Sequence, residues 1–519
     1  MAPVSTGQQG LYALFSQGAQ IAPDRPALDF PHAQVSYREL MSMAAEVAAT
    51  IGSGLDDRPA AVGLLGAKCP QTYAGYLGIA STGAAVVPMN PAQPAARNAA
   101  IARAAGLDLL LTCAVDPAAG ADLTTAPVLD LNGGRWFSGR GRAGRAADGP
   151  VSHRADIAYL LFTSGSTGRP KGVPVTNQSV TAYLRRAITR YGFAPGDRLS
   201  HSFALTFDLS VFDLFCAWGS GATLVLPTPA QARLPVRYAT ERGLTSWFSV
   251  PSAISVADQM RTLKPGSMPG LRWSLFCGEA LSYQQAAAWR SAAPASVIEN
   301  LYGPTELTVS CSAFRLPARP ADWPATQTGT VPLGDPHDGL EFLILGQDGR
   351  QAAGELCARG AQRFDGYLDA ADNAGRFACT DGTAAAAITP GSWYRTGDLV
   401  RRDANGELVF LGRLDDQLKI NGYRVEPGEI EAHLRRHPGI DEAVVVPCAA
   451  AAATELHAFY VGAQTADRVL AAFLTSLLPP PLVPRRYRRL DSLPRTANGK
   501  IDRNRLRADA ELLYREHRQ

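Results

Sequence analysis

The sequence lacks several features that would place a protein quickly in a class. It has no long unbroken apolar run and no basic, apolar leader at its start, so we expect neither a membrane-spanning segment nor a secretory signal. None of its eight cysteines forms a C-x-x-C pair, the spacing of many zinc and redox sites. The 50 lysines and arginines nearly balance the 47 acidic residues, so net charge favours neither nucleic acid nor an anionic membrane. We therefore expect a cytoplasmic protein without nucleic-acid or membrane partners.

The 519 residues do contain a regular alternation of helical and strand-like segments. An amphipathic stretch over 37–51 is followed by apolar segments over 60–66 and 83–89. This rhythm is typical of parallel strands joined by crossover helices, and it predicts an α/β fold. The segment 115–150 is rich in alanine, glycine and arginine and predicts a surface connection.

The pattern changes towards the C-terminus. From about residue 340 the apolar segments shorten and alternate with turn residues, which predicts antiparallel strands. After a further break over 412–417, a helical segment and two strand-like segments follow. We therefore predict an N-terminal core over 1–413 and a small α+β domain over 414–519.

One segment concentrates glycine, serine and threonine between an apolar run and a lysine. Its spacing departs from G-x-x-x-x-G-K-[ST], because Gly172 stands where that loop has its magnesium-binding hydroxyl. Backbone N–H groups and hydroxyls here can still form an anion-binding nest, to which the lysine adds charge. A plain turn between a strand and a helix is the alternative. The candidate phosphate-binding residues are Thr163, Ser164, Gly165, Ser166, Thr167, Gly168 and Lys171.

Five further motifs follow in order along the chain. They are FDLSVFDLF from Phe207, NLYGPTELT from Asn300, YRTGDL from Tyr394, GRLDDQLKINGYRVEPGEIE from Gly412 and PRTANGKIDR from Pro494. With these motifs the chain resembles the adenylate-forming superfamily, and within it the amino-acid adenylation domains of nonribosomal peptide synthesis. The resemblance implies a large N-terminal domain of α/β sheets with a small β-barrel-like subdomain, and a small mobile C-terminal domain.

The resemblance also implies a reaction. An amino-acid carboxylate attacks the α-phosphate of ATP and releases pyrophosphate, and the phosphopantetheine thiol of a separate carrier protein then captures the aminoacyl group. ATP and Mg²⁺ are the implied cofactors. Lys500 matches the lysine that bridges the substrate carboxylate and the α-phosphate, where a fixed cation meets developing charge. Glu306 matches the magnesium-associated carboxylate, since magnesium prefers hard oxygen ligands, and Thr305 beside it is a further implied catalytic residue. The other implied nucleotide-binding residues are Gly278, Asn300, Tyr302, Gly303, Asp398 and Arg413.

The same resemblance places the amino-acid pocket. Asp208 matches the aspartate that pairs with the α-ammonium group, and a buried carboxylate without a cation would be costly. The other pocket positions are Leu209, Phe212, Ser249, Leu275, Cys277, Leu301, Val309 and Ser310. The aliphatic members agree with proline-activating enzymes, whereas Ser249 and Ser310 depart from them. Because Ser249 replaces an aromatic residue, we predict a wider pocket for proline, a ring-enlarged or substituted analogue, or a small aliphatic amino acid.

Asp415 matches the pivot of the C-terminal domain, and Gly422 matches the position where a pantetheine arm passes close to the backbone. A rigid inter-domain turn is the alternative at Asp415. The chain ends soon after Lys500, so we expect no fused carrier domain. Two other functions stay open: an acyl-CoA synthetase, which Asp208 disfavours, and a non-catalytic nucleotide-binding protein, which Lys500 and Glu306 disfavour.

Overall fold

The computed structural model describes residues 10–139, 156–165, 169–346, 353–420, 422–449, 454–495 and 501–516. Two large sheets flanked by helices, a smaller antiparallel sheet and a C-terminal α+β unit make up this part of the chain. The helices are α1 (Leu11–Ile21), α2 (Tyr37–Gly54), α3 (Pro70–Thr82), α4 (Ala95–Ala105), α5 (Pro117–Ala121), α6 (Asn177–Tyr191), α7 (Leu209–Ser220), α8 (Pro235–Glu241), α9 (Ser252–Gln259), α10 (Tyr283–Ala292), α11 (Pro427–Leu434), α12 (Asp467–Thr475) and α13 (Arg503–Glu516).

The strands of the two large sheets alternate with these helices. They are β1 (Pro26–Asp29), β2 (Gln34–Ser36), β3 (Ala61–Gly66), β4 (Ala85–Met89), β5 (Leu109–Cys113), β6 (Val128–Asp130), β7 (Arg135–Phe137), β8 (Ile157–Thr163), β9 (Lys171–Thr176), β10 (Arg198–Ser200), β11 (Thr223–Val225), β12 (Ser246–Ser249), β13 (Trp273–Phe276), β14 (Val297–Tyr302), β15 (Ser312–Arg315) and β16 (Asp335–Pro336).

The remaining strands belong to the smaller sheets. They are β17 (Leu340–Gly346), β18 (Gly354–Gly360), β19 (Phe377–Ala378), β20 (Trp393–Arg402), β21 (Leu408–Arg413), β22 (Leu418–Ile420), β23 (Tyr423–Val425), β24 (Ile440–Ala449), β25 (Thr454–Gly462) and β26 (Arg486–Arg489).

The predicted α/β fold is confirmed by the two large sheets. One has the order β7-β6-β5-β3-β4-β8-β9, and the other has the order β16-β15-β14-β13-β12-β10-β11-β1-β2. Strands β3, β4, β5 and β8 pair in parallel in the first sheet, as do β10, β12, β13 and β14 in the second. Every residue of β4 and β5 is buried, which explains why these strands are continuous apolar segments without alternation.

The helix predicted over 37–51 begins at the capping box that its sequence encodes. The Ser36 hydroxyl accepts a hydrogen bond from the Glu39 backbone N–H, and the Glu39 carboxylate accepts one from the Ser36 backbone N–H at 2.8 Å. This exchange satisfies donors that a helix start otherwise leaves open. The resulting helix α2 extends to Gly54, and its buried face includes Leu40, Ala44 and Ile51.

The prediction of a surface connection over 115–150 is wrong for the part of this segment that the structure describes, up to residue 139. Helix α5 and strands β6 and β7 lie there, and β6 adds to the first sheet beside β5. The buried side chains of Val128 and Leu129 account for strand β6. The prediction missed them because it was based on the composition of the whole segment and not on its local apolar pattern. Residues 140–150 lie outside the described part.

The antiparallel strands predicted after residue 340 are confirmed. Strands β17, β18, β20 and β19 pair in that order, and β21 pairs with β20 to form a curled subdomain against the large sheets. The β20–β21 register sets Asp398 directly opposite Arg413. This pairing brings two predicted nucleotide-binding residues together.

A small α+β unit follows β21, which ends at Arg413. It contains the β22–β23 hairpin, the sheet β24-β25-β26 and helices α11 to α13. Its apolar core is its own and includes Ile430, Leu434, Val445 and Leu470, which is the usual mark of a separate domain. The division between residues 413 and 414 remains a prediction. Among the described helices of the whole chain, none has the length and hydropathy needed to cross a bilayer.

Candidate active site

The predicted phosphate-binding segment is a loop between two antiparallel strands. Thr163 ends β8 and pairs with Lys171, which begins the antiparallel strand β9. Gly165 is required for the close turn, because a Cβ atom would lie 2.3 Å from the carbonyl oxygen of Arg169. Ser164 is buried, and its hydroxyl donates to the carbonyl oxygen of Arg424 at 2.5 Å. Ser166, Thr167 and Gly168 lie outside the described residues.

Lys171 is held at the base of this loop. Its Nζ lies 3.5 Å from the Asp372 carboxylate and 5.5 Å from the centre of the Tyr367 ring. Its side chain is only 11% exposed, so the ammonium group is held against Asp372 and Tyr367 and not in bulk water. A cation fixed in this way can meet an anionic ligand without first being ordered.

Glu306 lies at the centre of the site, in a short 3-10 turn over Thr305–Leu307. Its side chain is fully buried, and Oε1 accepts hydrogen bonds from the Tyr367 hydroxyl at 2.5 Å and from Nη1 of Arg424 at 2.6 Å. Burial opposes ionisation, but the Arg424 guanidinium and the Tyr367 hydroxyl outweigh it and hold the pKa of Glu306 at about 2. The carboxylate is therefore ionised at any physiological pH.

The carboxylate of Glu306 fits a magnesium ion that is bound together with a polyphosphate. Oε2 of Glu306 is buried and has no hydrogen-bond partner among the described residues. The described part of the chain holds no group of three or more metal-ligating side chains. Magnesium usually takes one or two protein carboxylates and completes its shell with phosphate oxygens and water, so a single free carboxylate oxygen suits it.

The turn after Glu306 is strained. Thr308 and Val309 have φ values of 59° and 68°, in the left-handed region that a β-branched residue rarely adopts. Gln362 stabilises this conformation: its side-chain amide donates to the carbonyl oxygens of Leu307 and Ser310 at 3.2 and 2.8 Å. Strain of this kind costs about 1–3 kcal/mol per residue and concentrates at functional sites. It fixes the direction in which Glu306 and Val309 enter the site.

A cavity of about 760 Å³ opens beside the ends of β13 and β14. Its lining includes the predicted nucleotide-binding residues Gly278, Asn300, Tyr302, Asp398 and Arg413. Asn300 donates from Nδ2 to the carbonyl oxygen of Pro332 at 2.8 Å, whereas its buried Oδ1 has no partner within the described ranges. An orphaned acceptor of this kind suits an amino group such as the exocyclic amine of adenine.

Asp398 is held from both sides at the edge of this cavity. Tyr302 donates its hydroxyl to Oδ2 at 2.5 Å, and Nη1 of Arg413 donates to Oδ1 at 2.6 Å. Arg413 also donates through Nε and Nη2 to Asp415 at 2.6 and 2.8 Å. One guanidinium therefore joins the predicted nucleotide-binding carboxylate of Asp398 to the predicted pivot at Asp415. Gly303 has a packing role as well, since a Cβ there would lie 2.6 Å from Cα of Ser310.

A smaller cavity of about 120 Å³ adjoins the first and shares Gly278, Asp398 and Arg413 with it. Asp208, at the start of α7, opens onto this smaller cavity beside Leu209, Cys277, Thr305 and Lys419. Burial of the carboxyl group raises the pKa of Asp208 to about 6, against the opposing effects of the Thr305 hydroxyl and the Lys419 ammonium. A ligand cation beside Asp208 would relieve the cost of that burial.

The remaining pocket residues lie in or beside one apolar cluster. Leu209, Phe212, Leu275, Cys277, Leu301 and Val309 are all buried in it. Ser249 does not simply widen a cavity: its hydroxyl accepts from the Trp247 indole N–H at 2.8 Å and donates to the carbonyl oxygen of Val250. The Ser310 hydroxyl donates to the Tyr183 hydroxyl at 3.1 Å. The hydroxyl groups of Ser249 and Ser310, the two residues that depart from the proline-type pattern, thus both form hydrogen bonds within the protein.

The loop between β22 and β23 reaches into the site from the C-terminal unit. The Gly422 backbone N–H donates to the Glu279 carboxylate at 2.9 Å, and the Tyr423 ring meets Phe207 edge to face with centroids 4.5 Å apart. Gly422 has a φ of 79°, and a Cβ there would lie 2.6 Å from a methyl group of Val250. Only glycine fits this position. Lys500 lies outside the described residues, between Arg495 and Ile501, which form a β-bridge.

Sequence reasoning missed several residues that complete the site. Arg424 was visible within the KINGYR motif but had no role assigned to it. Glu279, Tyr367 and the buried ion pair between Arg97 and Glu429, at 2.8 Å, also contact the site or hold the C-terminal unit beside it. Arg97 and Glu429 are 332 positions apart, and neither stands in a pattern that points to the other.

These features together are those of an adenylate-forming class of enzyme: an ionised carboxylate, the predicted phosphate-binding loop, a cavity of about 760 Å³ lined by the predicted nucleotide-binding residues, and a second domain that reaches into the site. Comparison with known proteins agrees. The family profile described as AMP-binding enzyme matches residues 15–368, and that of the AMP-binding enzyme C-terminal domain matches residues 429–500. The chain belongs to the AMP-binding enzyme family and is an ATP-dependent, AMP-forming adenylating domain of the type found in peptide synthetases.

Three relatives illustrate the range of the similarity. Phosphinothricin tripeptide synthetase PhsC of Streptomyces viridochromogenes is 34% identical over 96% of this chain, and the match covers 45% of that protein. L-proline--[L-prolyl-carrier protein] ligase of Streptomyces coelicolor is 33% identical over 92% of each chain. The structure of the Vibrio cholerae adenylation domain AlmE in complex with glycyl-adenosine-5'-phosphate is 26% identical with a TM-score of 0.81, covering 96% of this chain and 97% of that one.

The similarity in length varies. The chain spans less than half the length of several curated relatives that it matches, including the synthetase PhsC. In contrast, the structure of IdnL7 is 40% identical, covers 98% of this chain and is itself covered completely, with a TM-score of 0.70.

Proposed function

We propose that this chain adenylates a small apolar α-amino acid, of proline type or aliphatic, and transfers it to the phosphopantetheine thiol of a carrier protein. The observation that carries the proposal is the carboxyl group of Asp208, which opens onto a small cavity beside Leu209, Cys277 and Thr305. The cations that also line this cavity are Arg97, Arg413, Lys419 and Arg424. An α-ammonium group is the cation that such a carboxylate needs, since burial disfavours its charge when it is unpaired.

The size of the cavity supports a small substrate. At about 120 Å³ it is below the roughly 300–1,000 Å³ of pockets for drug-sized ligands. Leu209 and Cys277 offer apolar contacts on one side of this cavity. Proline, a ring-enlarged or substituted analogue and small aliphatic amino acids all fit this chemistry. The printed name of the Streptomyces coelicolor relative, an L-proline ligase, favours the first of them.

Different residues of the chain would have different roles in the first step, the formation of the aminoacyl-adenylate. Asp208 orients the amino acid through its ammonium group, and Asn300, Tyr302 and Asp398 line the cavity for the adenosine part of ATP. Lys171 faces the phosphate-binding loop, and Glu306 would hold Mg²⁺, which supplies charge neutralisation on the transferring phosphates when bound. Lys500 would meet the negative charge that develops between the carboxylate and the α-phosphate.

The second step needs a thiol to approach the adenylate. Gly422 packs against Val250, donates its N–H to Glu279 and also lines the smaller cavity onto which Asp208 opens. A pantetheine arm is the thiol that this position suits. Coenzyme A carries the same arm, so the preference for a carrier protein depends on the amino-acid pocket and the KINGYR loop, which both follow the peptide-synthetase pattern.

The acceptor can be tested with purified chain, ATP, Mg²⁺ and proline. Pantetheine serves as a minimal thiol acceptor, coenzyme A as the competing acceptor, and a reaction without thiol as the control. We expect prolyl-pantetheine and stoichiometric AMP, with slower acylation of coenzyme A. Preferential acylation of coenzyme A would instead identify an acyl-CoA synthetase, and AMP formation independent of any thiol and amino acid would contradict both functions.

A further inference from the structure

Two cysteine side chains meet at the carboxyl ends of β3 and β5 in the first large sheet. Cys113 ends β5, and Cys69 stands in the connection between β3 and α3. Their Sγ atoms are 3.0 Å apart, although 44 positions separate the two residues along the chain. A disulfide bond is about 2.05 Å long, so the two sulfur atoms would have to approach by only about 1 Å to form one.

The backbone beside the pair leaves room for this approach. Gly66 is the register partner of Cys113 in the parallel pairing of β3 with β5. A Cβ atom at Gly66 would lie 3.2 Å from Cβ of Cys113 and 2.5 Å from the Thr72 hydroxyl oxygen. The Cys69 sulfur lies 3.3 Å from that same hydroxyl oxygen. Glycine at position 66 therefore keeps open the space in which the two sulfur atoms meet.

The two sulfur atoms differ in chemical character. Cys69 is half-buried and directly precedes α3, whereas Cys113 is buried. A hydrogen bond from the Cys113 thiol, together with those from the Thr72 hydroxyl and the Thr72 and Gln71 backbone N–H groups, lowers the pKa of Cys69 to about 6 despite its partial burial. The same hydrogen bond raises the pKa of Cys113, which keeps its proton. A nucleophilic thiolate thus lies beside a protonated thiol, as in cysteine pairs that respond to oxidants.

We propose that Cys69 and Cys113 form a redox modification site, at which hydrogen peroxide converts the two thiols into a reversible disulfide. The Cys69 thiolate attacks one peroxide oxygen, the O–O bond breaks, and hydroxide leaves while Cys69 becomes a sulfenic acid. The Cys113 sulfur then attacks the Cys69 sulfur and forms the S–S bond, and the hydroxyl group leaves with the Cys113 proton as water. The two sulfur atoms together lose two electrons, and the peroxide that gains them ends as water.

The disulfide would fix a connection that contacts both large sheets. Cys113 holds the β3–α3 connection to β5 of the first sheet. Lys68, beside Cys69, donates from Nζ to the carbonyl oxygen of His201 at 3.0 Å, just after β10 of the second sheet. Among the described residues that line the two cavities of the candidate active site, neither cysteine occurs. The inference therefore goes beyond the proposed function and does not depend on it.

Peptide mapping of the reduced full-length chain, after treatment with hydrogen peroxide and blocking with N-ethylmaleimide, tests the inference. We expect Cys69 and Cys113 to be lost in equal amounts and recovered as one cross-linked peptide pair that dithiothreitol separates again. Cys379 is the exposed cysteine of the described residues, so Cys379→Ser is the matched control and should form the cross-link at the wild-type rate. Recovery of Cys69 and Cys113 as separate alkylated peptides, while Cys379 is oxidised, would overturn the inference.

Variants that lack one cysteine of the pair test the order of the two steps. In Cys113→Ser the sulfenic acid at Cys69 has no partner, so dimedone should trap at least about tenfold more of it than in the wild type. In Cys69→Ser the buried Cys113 should keep its thiol under the same treatment. Oxidation of Cys113 at an unchanged rate in Cys69→Ser, or the absence of a dimedone adduct at Cys69 in Cys113→Ser, would overturn the inference.

The mapping of the wild type decides the question if either variant does not fold. It detects the cross-link directly and needs neither ATP nor an amino acid nor a carrier protein. The result therefore reports on Cys69 and Cys113 even if the proposed substrate or acceptor is wrong.

Discussion

Asp208 and Glu306, two carboxylates of the candidate active site, have pKa values that are shifted in opposite directions. Burial raises the pKa of Asp208 to about 6, whereas the pKa of Glu306 is held at about 2 despite its complete burial. The difference lies in their partners. Glu306 has the Arg424 guanidinium and the Tyr367 hydroxyl at hydrogen-bond distance, while the pKa of Asp208 is lowered only by the Thr305 hydroxyl, the charge of Lys419 and the Leu209 backbone N–H. The protein therefore compensates the charge of Asp208 only in part, and a cationic ligand would complete the compensation.

The first prediction at this scale concerns recognition of the ammonium group. Asp208→Ala should lower kcat/KM for proline by at least about a hundredfold, because a site built for a charged group is left without its partner. Turnover of the des-amino analogue cyclopentanecarboxylate should fall much less. Asp24→Asn, at a surface ion pair with Arg38, is the control and should change neither. Continued preference of Asp208→Ala for the amino acid would mean that the pocket lies elsewhere.

The raised pKa of Asp208 predicts a pH dependence. The carboxyl group becomes neutral as the pH falls through about 6, and a neutral carboxyl group no longer attracts the ammonium ion. At saturating ATP, kcat/KM for the amino acid should therefore fall about tenfold between pH 7 and pH 5. The profile for cyclopentanecarboxylate is the control and should not show this fall. A flat profile for the amino acid would remove Asp208 from the binding step.

Lys500 lies outside the described residues, and its role rests on its motif. If it acts on charge that develops in the transition state, Lys500→Ala should lower pyrophosphate exchange by about 10²–10³-fold with little change in the Kd for ATP. Arg489→Gln, at an ion pair with Asp491 on the surface of the C-terminal unit, serves as the control. Near-normal exchange in Lys500→Ala would exclude it from the adenylation step.

At the scale of elements, the segment between β21 and β22 decides how the two domains are related. Arg413 closes β21 and binds Asp398 on the N-terminal side and Asp415 on the other. The Leu414 backbone N–H donates to the Gly397 carbonyl oxygen at 2.9 Å, so the chain is tied down as far as residue 414. A pivot at Asp415 would begin immediately after the last of these ties.

Asp415→Pro tests that pivot, because proline fixes φ and restricts the preceding residue. We expect pyrophosphate exchange to be largely kept and transfer to pantetheine to be largely lost. Asp415→Ala is the matched control: it removes the same ion pair with Arg413 but leaves the backbone free, so it should lose far less transfer. Equal loss of both steps in folded Asp415→Pro, or equal behaviour of the two variants, would show that position 415 is only structural.

At the scale of the whole molecule, the alternation of elements and the antiparallel region could be predicted because each depends on local periodicity. Asp398 and Arg413 could be placed together for a similar reason, since one hairpin carries both. The antiparallel pairing of β8 with β9 around the phosphate-binding loop could not be predicted, because the partner of a strand is set by tertiary contacts and not by its local sequence. The pairs Arg97–Glu429 and Arg424–Glu306 join distant segments, and only the tertiary structure brings them together.

The most direct test of the proposed function is exchange of labelled pyrophosphate into ATP in the presence of Mg²⁺, with proline compared against cyclopentanecarboxylate and against a panel of other amino acids. The two acids have the same ring size and differ at the group that Asp208 is expected to bind. Proline or one of its close or small aliphatic analogues should drive exchange at least about a hundredfold faster than the des-amino acid. Exchange driven equally by both acids, or by no α-amino acid at all, would contradict amino-acid adenylation at this site.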